Sequence, residues 1–337
     1  MLILDSLLLL AALVVILVGA ELFTNSLEHT GERFGLSEGL VGSVFAAVAT
    51  ALPETVVPII AVFFGSADAA SSEGIGIGAI LGSPLMLVTL ALALIALATG
   101  SKRGWTQPLK PELSGLVRDL GYFLVAYVIA FIGLFVPRES GAIHAVAGLC
   151  LVFLYVYYVY NTIQASAALV SKGHGTTAHA PLLITRFKLP HTLPWEFTQM
   201  AVGLAFIIGG AKLFVNGVEQ VAEITGIGVL VLSLIIVPVA TEMPEKFNSI
   251  LWVRRHKDTL AFGNLSGAMV FQGSLLPAFG LQLGTWTASR DVLWTMGITM
   301  AMALWTLMLA LRRRLTPAGL LVNGAAYVLF LTVILIG

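Results

Sequence analysis

The sequence predicts an all-α polytopic membrane protein with ten transmembrane helices, arranged as two inverted five-helix repeats. Three observations predict this fold: the composition, ten long apolar runs and a sequence match between the two halves of the chain. Of the 337 residues, 58% are hydrophobic and 11% are charged, and the mean hydropathy is +0.96. Soluble domains carry about 25% charged residues. The composition therefore excludes a soluble enzyme, a nucleic-acid-binding protein and a disordered chain.

Each predicted span is an apolar run long enough to cross a bilayer, which takes roughly 20 residues. The first run contains Asp5 and no Lys or Arg, which favours a span over a signal peptide. The ten runs cover residues 3–26, 38–64, 74–98, 118–136, 141–163, 196–218, 227–253, 259–283, 289–311 and 317–336.

Basic residues orient these spans. With the N-terminus outside, 14 Lys and Arg residues fall in the odd-numbered loops, and only Arg138 and Arg290 fall in the even-numbered loops. Because cytoplasmic loops are enriched in Lys and Arg, we expect both termini to face outward across a plasma membrane or bacterial inner membrane.

A polar connection divides the chain. Residues 164–195 are rich in Ser, Gly, Thr and His and are expected to form a cytoplasmic linker between a first repeat at 1–163 and a second repeat at 196–337. Cys150 is the single cysteine, which excludes an internal disulfide and a Cys-based metal cluster.

The two halves share an internal repeat. Residues 19–54 match residues 210–245 without a gap, at 13 of 36 positions. Shared membrane composition does not place Asn, Glu and Pro residues in register. Five spans is an odd number, so the second copy enters the membrane from the opposite side. Such inverted repeats are typical of secondary transporters, which bind substrate near the midplane.

The best-matched stretches each hold Thr-x-x-Pro-Glu well inside a span, at 49–54 and 240–245. Proline interrupts helical hydrogen bonding, and carbonyls freed within lipid persist only beside a cavity or an ion. The hydroxyls of Thr50 and Thr241 and the carboxylates of Glu54 and Glu245 add hard oxygen ligands. Such ligands suit Na⁺, Ca²⁺ or Mg²⁺ rather than soft metals.

Two further charged residues accompany these glutamates. Glu54, Glu242, Glu245 and Lys246 would together cost on the order of 10 kcal/mol at span centres, which indicates function. Glu242 and Lys246 are four residues apart and are expected to form an ion pair. Glu54 and Glu245 would then hold a divalent cation, two Na⁺ or protons in competition. Alternatively, the Lys246 ammonium replaces one bound cation.

These features resemble the sodium/calcium exchangers of the cation/calcium antiporter superfamily over nearly the whole chain. Members of that family carry Gly-Thr-Ser-Leu-Pro-Glu in both repeats, then Gly-Ser-Asn one span later, and then Asn or Asp. The resemblance implies that spans one and six form a gate that slides over the other helices. It also implies ion ligands at the side chains of Glu54, Glu245, Thr50 and Thr241 and at the backbone carbonyls of Ala47 and Pro238.

The chain departs from the family pattern at several of these positions. Ala51 and Glu242 replace the family serine, and the later Asn or Asp positions are Leu87 and Gln272. Gly-Ser-Asn becomes a segment with Ser83 in the first repeat and has no polar counterpart in the second. Ser83, Glu242 and Gln272 are therefore the remaining candidate side-chain ligands, and the identity of the ion is left open.

The predicted function is secondary-active antiport of a metal cation, Ca²⁺ by resemblance, against Na⁺ or H⁺ by alternating access. A cation channel or an ion-sensing membrane protein on the same scaffold is the alternative. Inorganic cations and the lipid bilayer are the expected partners. No enzymatic chemistry, cofactor or nucleic acid is expected, and the oligomeric state is not predicted.

Overall fold

The protein is described by a computed structural model over residues 2–51, 54–55, 69–137, 139–178, 180–223, 234–235, 238, 242–282, 286 and 288–336. All regular elements within these residues are helical, which confirms the predicted all-α class.

The first half contains five long helical elements near the predicted spans. Two of them include a π-helical stretch, at Val41–Ala46 and Leu87–Ala91. The elements are α1 (Leu2–Arg33), α2 (Glu38–Leu40, Val41–Ala46 and Ala47–Thr50), α3 (Ala69–Met86, Leu87–Ala91 and Leu92–Arg103), α4 (Leu113–Gly133) and α5 (Gly141–Ser171).

The second half follows a 3₁₀ turn at Leu183–Phe187. Its elements are α6 (Leu193–Glu223), α7 (Met243–Arg254), α8 (Asp258–Gln282), α9 (Arg290–Leu311) and α10 (Pro317–Ile336). Helix α5 continues past residue 163, and α6 begins just before residue 196.

Several helices begin at a capping side chain. Ser289 accepts a hydrogen bond from the amide of Val292 at the start of α9, and Glu112 accepts bonds from the amides of Ser114 and Gly115 at the start of α4. Such caps satisfy amides that have no helical partner. Burial raises the pKa of Glu112, but the bonds from Ser114 and Gly115 outweigh burial, so this pKa lies below its ordinary value of 4.5.

Within the described residues, five helical segments are long and apolar enough to cross a membrane: Gly76–Arg103, Leu113–Gly133, Gly141–Ser171, Arg290–Leu311 and Pro317–Ile334. These segments support a multi-pass membrane protein. The predicted number of ten spans goes beyond this finding.

Helices α1 and α6 lie side by side as a pair. A Cβ atom added at Gly19 would lie 2.8 Å from the carbonyl oxygen of Gly203, and one at Gly203 would lie 2.7 Å from the amide nitrogen of Phe23. The two backbones therefore touch, as small residues allow in membrane helices.

Helix α8 occupies the centre of the remaining bundle and packs against α2, α4, α5 and α7. Most of its residues are buried, including Asn264, Ser266 and Gln272. A central helix with buried polar side chains on it can line an internal site.

The linker forms hydrogen bonds with α1 and with the residues that follow it. The Asn25 amide donates to the carbonyl of Pro181 at 3.2 Å, and its oxygen accepts the amide of Leu183 at 2.9 Å. The amide of Thr176 donates to the carbonyl of Leu36 at 2.9 Å.

Candidate cation-binding site

Three glutamates meet in the interior of the protein. Glu54 follows α2, Glu242 precedes α7 and Glu245 lies in the first turn of α7. One carboxylate oxygen from each lies within 4.8 Å of the other two, and all three residues are at most 1% exposed. The structure therefore brings together the two glutamates of the repeat and the additional Glu242.

Most oxygens of this cluster are left open. Among the described residues, both carboxylate oxygens of Glu54 and Glu245 and Oε2 of Glu242 have no hydrogen-bond partner. The other oxygen of Glu242 accepts the Gln272 amide at 2.7 Å. Unpaired buried carboxylates are costly, and like charges this close repel, so the cluster requires a cation or protons.

The other predicted ligands surround the cluster to different degrees. The Ser83 hydroxyl is buried beside Glu242 and has no hydrogen-bond partner among the described residues. The Thr50 hydroxyl lies beside Glu245 and donates to the carbonyl of Ala46 at 2.8 Å. Thr241, predicted as its counterpart, lies outside the described residues.

The backbone changes direction at the same point of both repeats. Ala51 has φ −80° and ψ 8°, and its counterpart Glu242 has φ −80° and ψ 1°. These angles lie in the sparsely populated bridge region, where many functional residues occur. Helix α7 begins directly afterwards with Pro244 in its first turn, where a missing amide hydrogen costs nothing.

Two glycines hold equivalent backbone contacts across the repeats. A Cβ atom at Gly82 would lie 2.7 Å from the carbonyl oxygen of Leu234, and one at Gly267 would lie 2.5 Å from Cα of Ser43. Ser43 and Leu234 are separated by 191 residues, the offset of the sequence repeat. Each repeat therefore packs its glycine-bearing helix against the corresponding turn of the other repeat.

A family model described as sodium/calcium exchanger protein matches residues 5–164 and 195–336. The chain belongs to the sodium/calcium exchanger family. This membership confirms the predicted family and, at the level of the family, the prediction of cation antiport. The family is one of transporters rather than of enzymes.

The chain is also similar to individual proteins. The chain is 24% identical over 294 residues to the sodium/calcium exchanger MaX1 of Methanosarcina acetivorans, covering 78% of this chain and 79% of that protein. It is 24% identical over 266 residues to the inner membrane protein YrbG of Escherichia coli, covering 78% and 75%. A solved structure of the sodium-calcium exchanger NCX_Mj aligns over 98% of both chains with a TM-score of 0.72 and 21% identity, which shows the shared fold.

For this family member, the prediction that Glu242 and Lys246 form an ion pair is wrong. No such pair occurs among the ion pairs of the described residues. The Lys246 ammonium instead donates to the carbonyl of Pro238 at 3.3 Å, while Gln272 occupies one oxygen of Glu242. Spacing along a helix places two side chains on one face but does not decide which neighbour each prefers.

A further buried carboxylate of this exchanger was not among the predicted site residues. Asp119 in α4 is fully buried, and its Oδ2 accepts hydrogen bonds from the hydroxyls of Ser43 and Ser266, each at 2.7 Å. The Arg118 guanidinium lies 3.4 Å from its Oδ1. Asp119 thereby joins α2, α4 and α8. An aspartate within the apolar run at 118–136 was the signal that could have identified it.

The backbone around Glu245 is also supported by a buried side chain. The Asn264 amide donates to the carbonyl of Glu245 at 3.1 Å and to the Ser249 hydroxyl at 3.0 Å. This bond ties the first turn of α7 to α8 and holds Glu245 in place.

Proposed function

We propose that this chain is a secondary-active antiporter that exchanges a metal cation, in the first place Ca²⁺, for Na⁺ or H⁺. The observation that carries this proposal is the buried cluster of three carboxylates whose oxygens are mostly unpaired. Hard divalent cations prefer carboxylate, carbonyl and hydroxyl oxygens. A site that must be neutralised, either by one divalent ion or by monovalent ions, makes their binding mutually exclusive. Exclusive binding is the basis of coupled exchange.

Glu54 and Glu245 are proposed as the shared ligands of the exchanged ions, with Glu242 as the third carboxylate. Ser83, Gln272 and Thr50 lie next to these carboxylates and would complete the shell. By resemblance, Thr241 and the carbonyls of Ala47 and Pro238 belong to it. The Ala47 carbonyl already accepts one hydrogen bond within α2, from the amide of Ala51 at 3.0 Å.

We propose ten spans in two inverted repeats, at 1–163 and 196–337, joined by the cytoplasmic linker 164–195. The equivalent glycine contacts and turns of the two halves support the repeat. The name of the inner membrane relative supports that location, and the basic loops support an outward position for both termini. The close-packed pair α1 and α6 is proposed as the gate that slides over the other helices to give alternating access.

The orientation has a direct test. Cys150 is the single cysteine, so a Cys150→Ser background can carry one new cysteine at Arg313, between α9 and α10. A membrane-impermeant maleimide should label Arg313→Cys from the cytoplasmic side only. Labelling from outside would reverse the proposed topology.

Exchange is tested with purified protein in Na⁺-loaded proteoliposomes. Radiolabelled Ca²⁺ uptake should follow the imposed Na⁺ or H⁺ gradient and should fall to the level of protein-free vesicles in Glu54→Gln/Glu245→Gln. Glu139→Gln, which changes an exposed carboxylate, is the matched control and should transport normally. Uptake that persists in the double variant would overturn the proposal, and unitary currents in a planar bilayer would favour the channel.

A further inference from the structure

Lys246 places a buried ammonium group beside the three carboxylates. It lies in the first turn of α7 and is 4% exposed. Its ammonium donates to the carbonyl of Pro238 at 3.3 Å and lies 3.6 Å from the sulfur of Met86. Thioether sulfur is only a weak acceptor, so the carbonyl is the main fixed partner of the ammonium.

The position of this lysine is electrostatically unfavourable without the cluster. The N-terminal turn of a helix carries a partial positive charge that repels cations, and burying an ammonium is itself costly. The carboxylates of Glu242, Glu245 and Glu54 provide the compensating field. Five of their six oxygens have no hydrogen-bond partner among the described residues, and Gln272 contacts the sixth. The ammonium therefore balances the cluster without occupying any one carboxylate.

The two repeats differ at this point. Pro238 and Ala47 are counterparts, and their carbonyls accept the amides of Glu242 and Ala51 at 3.1 and 3.0 Å. The counterpart of Lys246 is Thr55. Its hydroxyl donates to the carbonyl of Ala51 at 3.1 Å, within its own turn. The second repeat therefore presents a side-chain cation to its carbonyl where the first repeat does not.

We infer that the Lys246 ammonium fills one cation subsite of the exchanger permanently, at the Pro238 carbonyl, so that fewer ions are bound and carried in each cycle. This inference rests on the proposed exchange function. When all three carboxylates are ionised, they and the one ammonium leave two negative charges in the cluster, which one divalent ion or two monovalent ions neutralise. Without the ammonium, a third monovalent charge is required.

The test counts ions and charge in purified protein. Equilibrium binding of radiolabelled Na⁺ gives the number of ions per chain, and the membrane potential at which Ca²⁺ flux reverses in proteoliposomes gives the charge per cycle. Lys246→Met keeps most of the side-chain volume without the charge and should bind one more Na⁺ per chain. Its reversal potential should shift by the corresponding amount.

Two further variants guard against a folding defect. Lys246→Arg keeps the charge and should keep the wild-type ion count. Glu242→Ala/Lys246→Thr gives the second repeat the residues of the first and restores two negative charges, so it should also keep the wild-type count.

The outcomes separate the two proposals. A wild-type protein that exchanges Ca²⁺ while Lys246→Met and Lys246→Arg bind equal numbers of Na⁺ would overturn the inference alone. If Lys246→Met does not fold, a wild-type count in Glu242→Ala by itself would overturn the inference, because that variant has lost one negative charge. A wild-type protein without cation binding or gradient-driven exchange would overturn the proposed function.

Discussion

The buried ion pair between Glu28 and Lys257 should be the strongest single electrostatic contact between α1 and the other helices. Its ammonium and carboxylate are 2.6 Å apart, and each side chain is 3% exposed. The other oxygen of Glu28 accepts the Trp252 indole N–H at 2.9 Å. The ammonium also donates to the carbonyl of Thr177 at 2.6 Å. This contact therefore joins α1, the end of α7 and the linker.

Glu28→Gln should destabilise the protein by about 3 kcal/mol. Removing one partner of a buried pair costs about 3–5 kcal/mol, because the other charge is left uncompensated. The lower end applies here, since the Thr177 carbonyl still contacts the ammonium and the new amide oxygen can still accept from Trp252. At about 2 °C per kcal/mol, which is typical of larger domains, the melting temperature should fall by about 6 °C.

Thermal melting of the purified, detergent-solubilised protein at one scan rate measures this loss. Glu21→Gln is the matched control, because Glu21 lies on the same helix and pairs with Arg255 at 2.5 Å, but with both side chains about one-third exposed. Exposed pairs contribute at most about 1 kcal/mol. Equal melting temperatures for Glu28→Gln and Glu21→Gln would refute the reasoning from burial. Recovery in Glu28→Gln/Lys257→Met would support it, since that variant removes the uncompensated ammonium.

Three further changes test the helix packing, the buried carboxylate of Asp119 and the capping of α4. Gly267→Ala should cost about 1–3 kcal/mol, because its new Cβ overlaps the backbone of Ser43. In Gly297→Ala the new Cβ meets no atom within 4 Å, so this control variant should melt at or above the wild-type temperature. Equal melting temperatures for Gly267→Ala and Gly297→Ala would contradict the close contact between Gly267 and Ser43. Asp119→Ala should cost about 1–3 kcal/mol for each serine hydroxyl left unpaired, and full stability in that variant would show that the hydroxyls find other partners. The pKa of Glu112 is lowered, so its ionised carboxylate should stabilise the wild type relative to Glu112→Gln. This stabilisation should be fully present above pH 4.5 and should disappear as the pH falls through the lowered pKa. A difference in melting temperature between the two proteins that persists in strong acid would contradict this.

The course of the helices could be predicted closely from the sequence. The apolar runs at 118–136, 289–311 and 317–336 correspond to Leu113–Gly133, Arg290–Leu311 and Pro317–Ile336. Long apolar stretches form helices in lipid because their backbone polar groups must be satisfied within the segment. The cluster of Glu54, Glu242 and Glu245 was also predictable, because a carboxylate inside a span is costly unless it has a function.

Contacts between segments distant in sequence could not be predicted in this way. Asp119 was overlooked because its partners Ser43 and Ser266 lie on two other helices. The linker was predicted only from its polar composition, which does not reveal that Asn25 of α1 and Lys257 form hydrogen bonds with its backbone. Such bonds depend on how helices pack, and packing is not encoded in the spacing along any one of them.

The sequence by itself determined that this protein resides in lipid, that its two halves are related and that charged residues meet inside it. Those properties follow from hydrophobic composition and from residue register, which are local or periodic. The tertiary structure alone decided where each buried charge is directed. Lys246 was expected to pair with Glu242 one turn away and instead faces the Pro238 carbonyl, while Gln272 of another helix takes one oxygen of Glu242. The partner of a buried charge depends on which polar atoms the folded backbone brings within reach, and three helical segments contribute them here.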